Sequence, residues 1–132
     1  MLGHIGLNVP DLTVAKRYYD ALMPALGFTE YFNATEDEFS YWPSGAKPGT
    51  YIFFYPASDP GPYGVNRTGL QHLAFTVPTR QAVRDAHEIA MGLGSVNVHS
   101  PQEFPQYPQP YFAAFWSDPF GFKIEAVCHH ER

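Results

Sequence analysis

The chain repeats itself, and that constrains its fold more than anything else in it. Residues 3–27 read GHIGLNVPDLTVAKRYYDALMPALG, and residues 71–94 read QHLAFTVPTRQAVRDAHEIAMGLG. Setting His4 on His72 also sets Val9 on Val77, Pro10 on Pro78, Lys16 on Arg84, Asp20 on Glu88 and Met23 on Met91, with one gap before the terminal glycines. A supersecondary unit that occurs twice predicts a fold of paired modules.

Each copy opens as a strand and continues as a helix. Ile5, Leu7 and Val9 alternate with His4, Gly6 and Asn8, and Leu73, Phe75 and Val77 alternate with His72, Ala74 and Thr76. A period of two marks a strand with one apolar face. Asp11 and Thr79 are positioned as N-caps. Leu12, Ala15, Tyr19 and Leu22 then recur at helical spacing until Pro24; Val83, Ala86, Ala90 and Leu93 do so until Gly94. Further strands are expected at Thr29–Asn33, Phe39–Trp42 and Thr50–Tyr55, and at Ser95–His99, Tyr111–Trp116 and Phe122–Val127. The last two are joined by the sharp Asp118-Pro119-Phe120-Gly121 turn. The order is β-α-β-β-β twice, an α+β chain. One domain is expected over 1–132, with modules at 1–56 and 71–132 and a linker at 57–70. A proline-rich loop, Ser100–Pro110, carries Tyr107.

Composition narrows the function classes. A net charge of −5 with only 8 Lys and Arg, scattered, argues against a nucleic-acid partner. No apolar run approaches the roughly 20 residues that span a bilayer, and the N-terminus lacks a charged, then long apolar, secretion signal. With one cysteine, Cys128, no disulfide can form within the chain. A cytoplasmic protein acting on a small molecule, without membrane or nucleic acid, is the expectation. Aromatic residues make up 17% of the chain, which serves either core packing or an aromatic pocket.

Strand parity brings out a set of metal-ligand types. His4 and His72 fall on the polar faces of their strands, and in the last strand Lys123, Glu125 and Val127 oppose the apolar Phe122, Ile124, Ala126 and Cys128. Two imidazoles and a carboxylate suit Fe(II), Mn(II), Zn(II), Ni(II) or Co(II). A single histidine at a strand start is more often packed or solvated than a ligand. Two at repeat-equivalent positions, with Glu125 flanked by Ile124 and Ala126, favour the metal site His4, His72, Glu125. Equating Ile52 with Ile124 sets Phe53 opposite Glu125, so no fourth ligand comes from that position.

The other candidates carry weaker expectations. Tyr107 and Tyr111 are candidate catalytic phenols, able to donate a hydrogen bond to an oxyanion or to act as acids; simple packing of their loop is the plainer alternative. Tyr51, Phe53 and Tyr55 share a face and, with His99 in or beside a loop, are candidate substrate-binding residues. His87 is expected to pack between helix and sheet, His129 and His130 to be solvated, and Cys128, Trp42 and Trp116 to lie in the core.

The residues resemble the vicinal-oxygen-chelate superfamily, which joins glyoxalases, bleomycin-resistance proteins and extradiol dioxygenases. The likeness lies in the Gly3-His4-Ile5 strand followed by Val9-Pro10-Asp11-Leu12, in Gln71–Phe75, and in the closing hairpin Phe115–Glu125 with its F-x-x-D-P-x-G-x-x-I-E pattern. It covers nearly the whole chain, and the run Ile124–His129 resembles small glyoxalase-like members. The resemblance implies two βαβββ modules curled around a shared cavity, a divalent metal held from the first and last strands, and a homodimer. Lactoylglutathione lyases of the superfamily usually place a glutamate where this chain has Phe53; extradiol dioxygenases have a three-ligand set. The resemblance therefore implies a metal-dependent lyase, isomerase or ring-cleaving dioxygenase acting on vicinal oxygens. The alternative is a metal-independent protein of bleomycin-resistance type that sequesters an aromatic molecule, and a degenerate domain without catalysis also stays open.

Overall fold

The computed structural model describes residues 1–131; Arg132, the last residue of the expected second module, lies outside the described residues. Contacts divide the chain into two units, Met1–Pro62 and Tyr63–Arg132. The first holds β1 (His4–Val9), α1 (Leu12–Leu22), a 3-10 turn at Met23–Leu26, β2 (Phe28–Glu30), β3 (Phe39–Pro43), a 3-10 turn at Ser44–Ala46 and β4 (Tyr51–Pro56). The second holds β5 (Leu73–Thr76), α2 (Arg80–Gly92), β6 (Val96–Glu103), β7 (Phe112–Ser117) and β8 (Lys123–Cys128). The βαβββ order expected from the repeat is the order observed.

Each unit is a four-stranded mixed sheet, β1-β4-β3-β2 in the first and β5-β8-β7-β6 in the second. The opening strand lies parallel to the last one, and the remaining pairs are antiparallel. A parallel neighbour needs a long crossover, and α1 or α2 with the strands after it provides one. The helices start where the caps predict. The Asp11 side chain accepts from Val14 N at 3.0 Å, and Thr79 Oγ1 accepts from Ala82 N at 3.0 Å. Pro24 stops α1 at Leu22 but leads the following 3-10 turn, whose Gly27 adopts φ 88°. Beyond α2, Gly94 adopts φ 89°, a left-handed conformation suited to a residue without Cβ.

Each helix covers one face of its own sheet. In the first unit Ala15, Tyr18, Tyr19 and Leu22 of α1 are buried, with the Tyr19 ring 4.5 Å from Phe54. Leu7, Val9, Phe39, Tyr41, Ile52 and Phe54 complete that core. The buried Tyr41 phenol donates to Asp20 Oδ1 at 2.7 Å, and burial, then that bond, push its pKa well above the ordinary phenol range. In the second unit Val83, Ala86 and Ala90 are buried but Leu93 is 39% exposed, so the apolar stripe ends one turn earlier than its spacing predicts. His87 packs as expected, edge-on to the buried Trp116 at 6.1 Å and bound to Asn97 at 2.8 Å. Trp42 is only half-buried, because β3 turns it to the face away from α1. Tyr63, in the expected linker, belongs with the second unit: its ring stands 4.5 Å from Phe122 and its hydroxyl donates to the Leu70 carbonyl.

The Ser100–Pro110 segment is not wholly a loop. β6 runs on through Ser100, Pro101 and Gln102 to Glu103. Pro101 is tolerated because β6 is an edge strand, where a missing N–H breaks no ladder. Among the described residues no helix is long and apolar enough to cross a membrane.

Candidate functional site

The second unit brings most candidates to one side of its sheet. β8 lies between β5 and β7, and its alternation sends Ile124 toward α2 beside Trp116, and Lys123, Glu125 and Val127 the other way. The parity argument leaves that second face outside the core. The structure corrects this: Phe104, Ala113, Phe115 and Val127 form a small apolar cluster there with Tyr111 against it. The proline-rich segment folds back through Phe104 N to Tyr111 O at 2.9 Å, which brings Phe104 over the sheet. Glu125 is therefore only 1% exposed.

A carboxylate so buried requires polar partners. Oε1 lies 3.0 Å from His72 Nε2, and Oε2 accepts a 2.5 Å hydrogen bond from Tyr111 Oη. His72 Nδ1 meets the side-chain amide oxygen of Gln71, so both ring nitrogens are engaged and the ring orientation is fixed. Burial, then the bond to Glu125, raise the Tyr111 pKa above the ordinary phenol range. The phenol thus stays protonated at neutral pH and acts as the donor.

The turn before β8 aims Glu125. Asp118 Oδ1 accepts from Phe120 N at 2.8 Å and Phe122 N at 2.9 Å, and Asp118 N donates to Phe122 O at 2.8 Å. Gly121 takes φ 92°. This closes the hairpin in the register Ser117↔Lys123, Trp116↔Ile124, Phe115↔Glu125.

His99 reaches this face through a bulge. Asn97 pairs with Trp116 and His99 with Phe115, with a register shift between them. Two residues apart on a regular strand they would share a face; the extra residue, Val98, puts them on opposite faces. Asn97 therefore meets His87 of α2, while the His99 ring stands 5.6 Å from both Phe104 and Phe115. His99 is a strand residue rather than a loop one. His72, His99, Tyr107 and Tyr111 all line a cavity of about 550 Å³ in the second unit. Tyr107, 45% exposed, stacks on Phe104 and lies 4.9 Å from Tyr111. Among the further liners that the sequence reading did not single out are Phe104, Phe115 and Lys123. Counting residues outward from the Asp118–Gly121 turn would have found Phe115, and parity with Glu125 would have found Lys123.

In the first unit β4 presents Tyr51, Phe53 and Tyr55 together on the face away from α1, as alternation predicts, with Ile52 and Phe54 buried behind. Phe53 stacks with Tyr55 at 6.2 Å, and Tyr31 stands 4.8 Å from Tyr51 and 5.0 Å from Trp42. His4 is exposed on β1, edge-on to Phe53 at 5.3 Å. The registers of the two units coincide. Gly6 pairs with Phe53 where Ala74 pairs with Glu125, so the equivalence of Phe53 and Glu125 read from the repeat holds in the strand pairing.

The chemistry of His72 and Glu125 fits a divalent first-row metal. Two donors bonded at about 2.1 Å to one such ion stand about 3.0 Å apart when they occupy neighbouring positions at a right angle, and Nε2 and Oε1 are 3.0 Å apart. Tyr111 holds Oε2, so Oε1, beside His72 Nε2, is the oxygen that would face an ion shared with the imidazole. Among the described residues no three or more His, Cys, Asp or Glu side chains gather into a group that could hold a metal ion; His4 stands on the first unit, and His72 and Glu125 on the second.

Two sheets with a parallel outer pair, each following a βαβββ order, define a class of domain, and comparison with known proteins gives it a name. The family model of the Glyoxalase/Bleomycin resistance protein/Dioxygenase superfamily matches residues 1–126, and the chain belongs to that superfamily. The uncharacterized protein YqjT of Bacillus subtilis (strain 168) is 28% identical over 131 residues, 95% of this chain and 96% of its own. Among solved structures, a candidate glyoxalase from Bacillus halodurans is 29% identical with a TM-score of 0.79, covering 97% of this chain and 95% of its own. A glyoxalase/bleomycin resistance protein from Albidiferax ferrireducens T118 shares the fold at a TM-score of 0.79 with 22% identity, over 98% and 99% of the two chains.

Proposed function

We propose that this chain is a divalent-metal-dependent enzyme of glyoxalase/dioxygenase type that binds vicinal oxygens of a small substrate, with His4, His72 and Glu125 as the metal ligands. The observation that carries the reading is the buried Glu125 carboxylate, 1% exposed, with one oxygen 3.0 Å from the His72 imidazole and the other held by Tyr111. A carboxylate kept in an apolar setting and aimed by two side chains has a role beyond solubility. A bound divalent ion would supply Lewis-acid stabilisation of negative charge developing on the substrate oxygens. The protein's own part is separable. Tyr111 positions Glu125, Gln71 positions His72, and Phe104 and Phe115 narrow the access of water to the cavity. The half-exposed Tyr107 phenol is placed to donate to a substrate oxygen. Phe53, at the place equivalent to Glu125, leaves the ligand set at three and favours the dioxygenase-like arrangement over a four-ligand lyase. Tyr51, Phe53, Tyr55 and His99 are the proposed substrate contacts, and a cytoplasmic homodimer is the proposed form.

Elemental analysis tests the site. Protein stripped with chelator and reloaded anaerobically with Fe(II), Mn(II), Ni(II), Co(II) or Zn(II) is expected to take up one ion per chain, and His72→Ala or His4→Ala to take up none while remaining folded. Undiminished stoichiometry in either variant overturns the ligand assignment.

A second reading has its own observation. The aromatic face of Tyr31, Trp42, Tyr51, Phe53 and Tyr55 in the first unit suits stacking of a planar molecule and needs no metal, which supports a sequestration protein. Equal affinity of metal-free and metal-loaded protein for an aromatic ligand, with no turnover, would favour it.

A further inference from the structure

We propose that the cavity of the second unit selects a substrate bearing a single carboxylate beside an aromatic group, and that Lys123 recognises that carboxylate. The proposal rests on the reading of this cavity as the substrate site and names the class of molecule it takes.

The argument is a count of charges and of who already answers them. One carboxylate, Glu103, lines this cavity and a second, Glu125, is buried behind the liners His72 and Tyr111; both are committed. Glu125 is engaged on one oxygen by His72 and on the other by Tyr111. Glu103 is held by Arg80, whose Nη1 donates to it at 2.9 Å. Lys123 is the remaining fixed cation in the lining. It projects to the same face of β8 as Glu125, two residues before it. Yet among the described residues it makes no ion pair; its ammonium stands 6.0 Å from the centroid of the Phe115 ring. That is the outer limit of a cation–π contact.

The plain alternative is a surface lysine answered by water. Its surroundings argue otherwise. Phe115, the ring beneath Lys123, is also the ring beside His72 at 5.8 Å, His99 at 5.6 Å and Phe104 at 5.5 Å. One aromatic floor therefore carries an unanswered positive charge on one side and the His72–Glu125 pair on another. A molecule with an aromatic or apolar body lying on Phe115 and Phe104 places its anionic end on Lys123 and its other oxygens toward His72. One lysine matches one negative charge. A phosphate dianion commonly draws several cations or a cradle of backbone N–H groups, and the nearby Glu103 disfavours a doubly charged guest. A carboxylate is the anion this site fits.

The test uses the full chain freed of metal by chelation, so that it stands or falls apart from the metal assignment. The probes are 3-phenylpropanoate, its neutral amide, and phenyl phosphate, titrated by calorimetry near pH 7 at low salt. The acid is expected to bind at least tenfold more tightly than the amide. That ratio should fall below twofold in Lys123→Met and return in Lys123→Arg. Because the ratio is taken within one protein, a general loosening of the variant lowers both affinities and leaves it unchanged. Equal binding of acid and amide to the wild type, binding of neither, a preference that survives Lys123→Met, or tighter binding of phenyl phosphate than of the carboxylate each overturns the proposal. Loss of metal uptake in His72→Ala bears on the metal site alone.

Discussion

The two units share a ladder and differ in what they hang on it. Gly6 pairs with Phe53 and Phe53 with Ser40 in the first; Ala74 pairs with Glu125 and Glu125 with Phe115 in the second. The carboxylate of one unit stands where the other has a benzene ring, and the ring opposite it where the other has a hydroxyl. Backbone symmetry is retained while chemistry is not. The away-from-helix face becomes an aromatic surface in the first unit and an ionic pocket over an aromatic floor in the second. The phenols follow the same logic: Tyr41 donates to Asp20 on the helix side, Tyr111 to Glu125 on the cavity side. Each unit pairs a tyrosine with a carboxylate, burying the phenol in the first and the carboxylate in the second, and only the second does so beside an imidazole.

Making the two ladders alike is the strongest way to break this contrast. Glu125→Phe gives the second unit the first unit's residue, and metal uptake in the elemental analysis is expected to fall from one ion per chain to none. The converse, Phe53→Glu, would offer a fourth ligand to the proposed set of three and is expected to tighten the metal at least tenfold by competition with a chelating dye. A more moderate change removes only the hydroxyl that holds Glu125. Tyr111→Phe should cost about 2 kcal/mol in urea unfolding, the usual loss for a hydrogen bond to a charged partner. The first unit's buried phenol gives a pH signature. The Tyr41 pKa is raised in the folded chain by burial and by Asp20, so the unfolded chain ionises first. Stability is then full below the ordinary phenol value of about 10 and falls as the pH rises beyond it. Tyr41→Phe should flatten that fall in alkaline denaturation measured between pH 9 and 11. The smallest effect is expected at Ser40, whose Oγ is buried without a hydrogen-bond partner among the described residues. Ser40→Ala should shift unfolding by less than about 1 kcal/mol, in either direction, because no bond is lost.

What sequence made legible was whatever depends on local periodicity. The repeat, the caps at Asp11 and Thr79, the alternation in β1, β4 and β5 and the Phe53–Glu125 equivalence all read directly, because each is set by neighbours a few residues away. What it hid depends on contacts between distant segments or on broken periods. The bulge that splits Asn97 from His99 is invisible to a count of two. The covering of the Glu125 face follows from Phe104 folding back along Tyr111, which composition placed in a loop. Tyr111 was singled out for its phenol, but its partnership with Glu125 spans fourteen positions and needed the fold.

The Asp118 turn has a consequence for how this domain can change over generations. Its hydrogen bonds to Phe120 and Phe122 fix the origin from which β8 is counted. One residue gained or lost between the turn and Glu125 would rotate the carboxylate to the α2 side and carry Ile124 or Ala126 into its place. Length variation among descendants should therefore gather in the segment between the units, where no register depends on it. The four residues Asp118–Gly121 should stay constant in number even where their identities drift.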